Sequence, residues 1–290
     1  MPKQLGQAGR YKLMHTTNIM HCERDGAVQI LRLSDHETRN SLSNEMRNAL
    51  SQALQDAQAD DQVRVVYLTG SQGVFCSGGN LETLSNIESS WEVHRRFCRL
   101  GAWLLPLIRF PKPVIVGLNG AAVGGGIGLA LAGDVVVAAE GAKLVSTFFK
   151  LGVVPDVATM YMLPRLLGMA RAKSFVIGNG TIDASKGHAL GLFDEVVPNE
   201  RIYEAGLERA KEIAMGPVRA MSLAKQVMGR SFETDLEGMF MYEDLAQSLA
   251  MSLGGEFQEG VSAFFERRKP VFFAEAAADV VAEIRDRKHV

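Results

Sequence analysis

The chain has 290 residues, 47% of them hydrophobic and 22% charged, and carries a net charge of −2. That is enough to bury one sizeable core with a smaller appendage. A near-neutral balance with only short basic clusters (Arg95-Arg96 and Arg267-Arg268-Lys269, read as solvated faces) excludes a nucleic-acid partner, and apolar runs broken well short of ~20 residues exclude a membrane span.

Taken in chain order, residues 1–20 are polar and aperiodic and are expected to form a loose arm without a secretory signal. Val28 to Leu33 reads as a strand. Leu42, Met46, Ala49, Leu50, Ala53 and Leu54 recur at helical spacing behind Ser43, a suitable N-cap. Val63 to Leu68 is a second strand, and a second helical stretch spans about 83–105. Val114 to Val116, flanked by Pro113 and Gly117, is a third strand. Ala121 to Ala132 reads as a small-residue helix with a glycine-rich start, followed by a strand at Val135 to Ala138. Strands alternating with helices predict an α/β architecture with parallel pairing. From about 200 onward the signals are nearly all helical. The expected division is an arm over 1–20, an α/β core over 21–200 and a helical region over 201–290. Cys22, Cys76 and Cys98 build no disulfide framework and fit a reducing cytoplasm, and no CxxC or His/Cys spacing marks a metal site.

Two glycine-rich turns carry the chemistry. The run Asn119 to Gly128 follows a strand and opens a helix, so its N–H groups can face an anion. It is not a dinucleotide fingerprint, because Leu129 and Leu131 stand where GxGxxG needs glycine, and no GK[ST] follows. The run Gly73 to Leu81 also follows a strand. Phe75 stands where a nucleophile elbow around Ser77 needs glycine. Two strand-to-helix glycine turns are what a two-donor oxyanion hole requires, each supplying one N–H. Close helix packing through small residues is the alternative reading.

Phe75-Cys76-Ser77-Gly78-Gly79-Asn80-Leu81 resembles the crotonase motif F-S-A-G-A-D-L. Pro111 to Val116 through Gly124-Gly125-Gly126 resembles its K-P-V-I-A-x-x-x-G-x-x-x-G-G-G. Gly152 to Asp156 with Leu163 to Gly168 resembles G-L-x-P-D…L-P-R-x-x-G. Arg39 to Leu42, Gly191 to Val197 and Phe264 to Pro270 are similar to three further signatures, in order, between about 21 and 273. The resemblance to the crotonase (enoyl-CoA hydratase/isomerase) superfamily implies a spiral of ββα units with a C-terminal helical trimerisation region. It implies an acyl-CoA thioester substrate, coenzyme A being part of that substrate, no tightly bound cofactor, and a homotrimer or dimer of trimers. Carried over by motif, the N–H groups of Ser77 and Gly125 form the oxyanion hole. Arg39, Ser41, Ser77, Gly79, Asn80 and Leu81 flank the coenzyme, and Lys269 reaches its phosphates.

The sequence departs from the ordinary hydratases of the family at both glutamates, which are Gly128 and Phe148 here. Neither transfers a proton, so crotonyl-CoA hydration is expected to be very poor, and Phe148 with Phe149 is expected to make the acyl pocket apolar. Asp156 is the remaining family-positioned carboxylate, either an acid/base group or a cap for a helix starting at Val157. His94, Glu82, Glu88, Tyr161 and Tyr242 are weaker candidates. A double-bond isomerase using Asp156 leads. A hydratase, an acyl-CoA hydrolase and a non-catalytic acyl-CoA-binding homologue stand as alternatives.

Overall fold

The computed structural model describes residues 11–85, 89–252 and 255–273. Residues up to 210, apart from 111–113, form one unit; 111–113 and the residues from 211 form another.

The first unit opens with β1 (Tyr11–Thr17), β2 (Met20–Asp25) and β3 (Val28–Leu33), an antiparallel meander. Residues 11–17, expected as part of a loose arm, are thus paired in a sheet. Helix α1 (Asn44–Ala59) follows behind Ser43, whose Oγ accepts the Met46 N–H at 3.1 Å. Such a cap contributes ~1 kcal/mol. Met46, Leu50 and Leu54 on its inner stripe are essentially fully buried, each stabilising by ~1.5–3 kcal/mol.

The chain then runs through three ββα turns. They are β4 (Val65–Thr69) with β5 (Val74–Cys76) and helices α2 (Leu81–Ser85), α3 (Ser90–Cys98) and α4 (Leu100–Ile108); β6 (Val114–Leu118) with β7 (Ala121–Val123) and α5 (Gly125–Ala130); and β8 (Val135–Ala139) with β9 (Lys143–Val145), leading to α6 (Thr159–Leu167). The first strand of each turn joins a seven-stranded sheet ordered β1-β2-β3-β4-β6-β8-β11, and the second joins a four-stranded sheet ordered β10-β9-β7-β5. Here β10 is Thr181–Asp183 and β11 is Glu195–Val197. Pairing from β3 to β11, and among β5, β7 and β9, is parallel. Parallel strands covered on both faces read as unbroken apolar runs, and β4 and β6 are buried throughout. The fold is the expected α/β spiral. Its two sheets deliver two kinds of strand end, and β5 and β7 of the small sheet finish at the two glycine turns.

Helix α9 (Ile202–Ala214) lies beyond the boundary placed at 200 and straddles the division at 210, and its Ile202 and Ala205 belong to the first unit's core. The second unit contains α10 (Val218–Met228), α11 (Leu236–Ser252) and α12 (Glu256–Glu266). The buried Glu256 carboxylate accepts the Arg219 and Ala220 N–H groups, closing the α10 N-terminus. No helix among the described residues is long and apolar enough to cross a membrane.

Candidate active site

The two glycine turns meet. Gly78 has φ +90°, and a Cβ on it would lie 2.5 Å from the Val123 carbonyl oxygen and 3.3 Å from the Gly125 N. Only glycine allows that approach. Gly125 is the first residue of α5, behind Gly124 at φ +52°. Its N–H has no acceptor among the described residues, as the first turn of a helix leaves it.

On the other turn the donors differ from the expectation. The Ser77 N–H donates to the Arg39 carbonyl at 3.1 Å, and its Oγ to the Thr38 carbonyl at 2.8 Å. That carbonyl is delivered by an unusual stretch in which Arg39 and Asn40 both have positive φ, at 56° and 59°. The buried Asn40 amide holds the stretch by donating to the Val74 and Phe75 carbonyls. The Gly78 N–H points to the Cys76 Sγ at 3.4 Å. Gly79 is exposed, and its N–H has no acceptor among the described residues. Ser77 is therefore a strut between the 38–42 loop and β5, and the N–H free on this turn belongs to Gly79.

The expected coenzyme-flanking residues Ser41, Asn80 and Leu81 lie beside it. The buried Ser41 hydroxyl bonds the Thr38 Oγ1 at 2.8 Å. Asn80 accepts from the Thr83 N–H and hydroxyl at 2.8 and 2.9 Å, which caps α2, and Leu81 is exposed. Arg39 is exposed on the same loop. Lys269 lies exposed after α12 in the second unit.

Asp156 sits against the Gly125 turn. Its Oδ1 is 3.3 Å from where a Cβ on Gly125 would be, with Val157 Cγ2 at 2.8 Å and Leu42 Cδ1 at 3.5 Å. Burial pushes its carboxyl above the ordinary range, against its own backbone N–H and the Arg47 charge, which pull it down. It does not cap α6: the helix begins at Thr159 behind Ala158, without a side-chain cap bond. The Asp156 contribution there is its carbonyl, which accepts the Thr159 N–H at 2.9 Å. Val157 and Ala158 follow with φ of +49° and +56°. Two consecutive left-handed non-glycine residues, the first β-branched, are strained by ~1–3 kcal/mol each.

That strained turn explains Gly128. A Cβ on Gly128 would lie 1.6 Å from the Val157 carbonyl oxygen, so backbone fills the space a side chain at 128 would need. At the other position Phe148 is buried, its ring 3.9 Å from a Cβ on Gly124. Phe149, also expected to line the pocket, is 43% exposed and turns to solvent.

Arg47 was not foreseen. It is 7% exposed, it donates to the Ser43 carbonyl and the Asn44 side chain, and its charge interacts with Asp156 and Arg96. The available signal was a cation three and seven residues before Leu50 and Leu54, on the buried stripe of α1. The weaker candidates are placed apart. His94 is exposed on α3, stacked on Trp91 and 3.4 Å from the Cys98 Sγ. Glu82 is exposed on α2, and Glu88 lies outside the described residues. Tyr161 lies under Arg165, and Tyr242 is on α11 in the second unit. Burial pushes the Cys22 and Cys76 thiols up to about 11 and about 12, so neither is an activated nucleophile. No group of three or more His, Cys, Asp or Glu that could hold a metal occurs among the described residues.

A site of backbone donors beside one desolvated carboxylate can stabilise an oxyanion and move a proton. The family model for enoyl-CoA hydratase/isomerase matches residues 23–275. A 1,2-epoxyphenylacetyl-CoA isomerase of Escherichia coli K12 is 33% identical over 258 residues, 88% of this chain and 97% of that one. A mitochondrial methylglutaconyl-CoA hydratase of Rattus norvegicus is 30% identical over 277 residues, 93% of this chain and 87% of that one. Among solved structures, an enoyl-CoA hydratase/isomerase from Cupriavidus metallidurans CH34 superposes with a TM-score of 0.85 at 28% identity, covering 89% of this chain and 97% of the other. An enoyl-CoA hydratase from Polaromonas sp. JS666 does so with 0.82 at 32% identity, covering 87% and 98%. With the ββα spiral and the paired glycine turns, these matches show that the chain belongs to the enoyl-CoA hydratase/isomerase family.

Proposed function

We propose that the protein is an acyl-CoA double-bond isomerase in which Asp156 shuttles the proton and the Gly79 and Gly125 N–H groups hold the thioester oxygen. The observation that carries the reading is the pair of contacts around α5: the Asp156 carboxylate stands beside the Gly125 turn, and the Val157 carbonyl occupies the space a side chain at Gly128 would take. In a 3-enoyl thioester the Asp156 carboxylate removes a proton from C2. The electron pair moves onto the thioester oxygen, giving a dienolate. The protonated carboxyl then returns the proton to C4 as the C2–C3 double bond forms and the thioester is restored. One group serves both carbons, so no second carboxylate is required. Each donor to the developing oxyanion contributes ~3–4 kcal/mol to lowering the barrier. Burial that raises the Asp156 carboxyl also makes it a stronger base when ionised.

Asp156→Asn is expected to lower isomerase kcat by ~10²–10⁴-fold. Affinity for free coenzyme A should stay essentially unchanged. Steady-state isomerisation of a 3-enoyl-CoA, with calorimetric binding of coenzyme A to both forms, makes the comparison. A mutant retaining most of its activity would remove Asp156 from the chemistry.

A further inference from the structure

A cavity of about 680 Å³ lies between α1 and the α3–α4 segment. It adjoins the thioester end of the site through two segments. Leu42, just before α1, is 3.5 Å from a Cβ position on Gly125, and Thr83 in the cavity wall is bonded to Asn80 beside the other glycine turn. Its charged lining is four arginines, Arg47, Arg95, Arg96 and Arg99, against one carboxylate, Glu92. Arg95, exposed, and Arg96, half-buried, stand at its open side, so the face read from sequence as solvated also borders the cavity.

A saturated acyl tail would pack on Ala102 and Trp103 but offer the four guanidinium groups no acceptor. Arg47 is nearly buried and has no carboxylate within ion-pair distance among the described residues, and two of its five N–H groups are accounted for by Ser43 and Asn44. A desolvated guanidinium without a contact ion pair is costly unless an anion reaches it. Trp103, 5% exposed in the same wall, has an indole N–H without an acceptor among the described residues. Guanidinium forks match carboxylate geometry in two parallel hydrogen bonds.

We propose that this cavity receives the far end of the acyl chain and that this end carries a carboxylate, so the preferred substrates are mono-CoA thioesters of dicarboxylic acids. The assignment rests on the acyl-CoA reading of the glycine turns and adds the class of acyl group. The experiment is calorimetric binding to the full chain of three unreactive probes: adipyl-CoA (mono-thioester), hexanoyl-CoA and free coenzyme A. Glutaryl/pentanoyl and suberyl/octanoyl pairs cover chain length. Wild type is compared with Arg96→Gln/Arg99→Gln. The expected result is ~10-fold or greater preference for the dicarboxylyl member of at least one pair, or ~1.4 kcal/mol. The double variant should lose that preference and keep its affinity for free coenzyme A. No preference in any pair overturns the proposal. Equal weakening of free coenzyme A and adipyl-CoA also overturns it, by assigning the arginines to the nucleotide phosphates. Saturated thioesters undergo no isomerisation, so this result is independent of Asp156, whose role the Asp156→Asn turnover assay decides.

Discussion

Burial and, more weakly, the Arg47 charge set the pH behaviour of Asp156. Burial raises the Asp156 carboxyl and Arg47 lowers it, so kcat/KM should fall as pH drops through a value above the ordinary carboxyl range. Arg47→Met removes the lowering influence and should move that acid limb to higher pH, which a kcat/KM–pH profile will show. The stability consequence has the opposite sign to a salt-bridged carboxylate. The folded chain holds this proton more tightly than the unfolded chain, so stability falls as pH rises from the unfolded pKa through the folded one. Asp156→Asn should therefore unfold at the same or higher temperature than wild type at neutral pH, with the difference vanishing below the ordinary carboxyl range. Gly128 is a second test of the same corner. Gly128→Ala drives a methyl into the Val157 carbonyl and should cost ~1–3 kcal/mol in urea unfolding. Asp156 was legible from the motif around Pro155. The Gly79 donor was not, because which N–H in a turn is free depends on a loop from elsewhere, here the Arg39 carbonyl.

Among the elements around the site, α3, like the shorter α2, is weakly anchored. None of its residues is buried, and Trp91, Val93 and Phe97 are all partly exposed. Amides of 90–98 should exchange with deuterium far faster than those of α1, and a bound acyl-CoA reaching Arg95 and Arg96 should slow them. Exchange mass spectrometry with and without ligand will show it. Helix α1 was readable because a cap and a 3.6-residue apolar period agree. Strands β5, β7, β9, β10 and β11 were not, since three residues carry no period, and the segment expected as one helix from Ala121 splits into β7 and α5 around Gly124. Residues 11–17 gave no local signal because their order comes from pairing with β2.

On the scale of the whole molecule, the second unit leaves apolar surface uncovered among the described residues. Helix α11 has no buried residue, while Leu236, Phe240, Leu245 and Leu249 along it are 68, 58, 59 and 44% exposed. Contiguous apolar faces of this kind are ordinarily covered by association, and symmetric closure covers every copy alike. Light scattering is expected to give three or six times the chain mass, and Leu245→Glu/Leu249→Glu should shift it to a smaller species. A stable wild-type monomer at micromolar concentration would contradict this.

The contact between Gly128 and the Val157 carbonyl also bears on how such a site can change its chemistry over time. With the strained turn in place there is no room for a carboxylate at 128. In this chain the left-handed turn at Val157–Ala158 and a side chain at 128 exclude each other sterically, so a carboxylate enters at 128 only if that turn rearranges. Gaining a carboxylate at 128 therefore requires the 157–158 turn and position 128 to change together. Gly128→Glu alone should therefore yield a binder, not a hydratase.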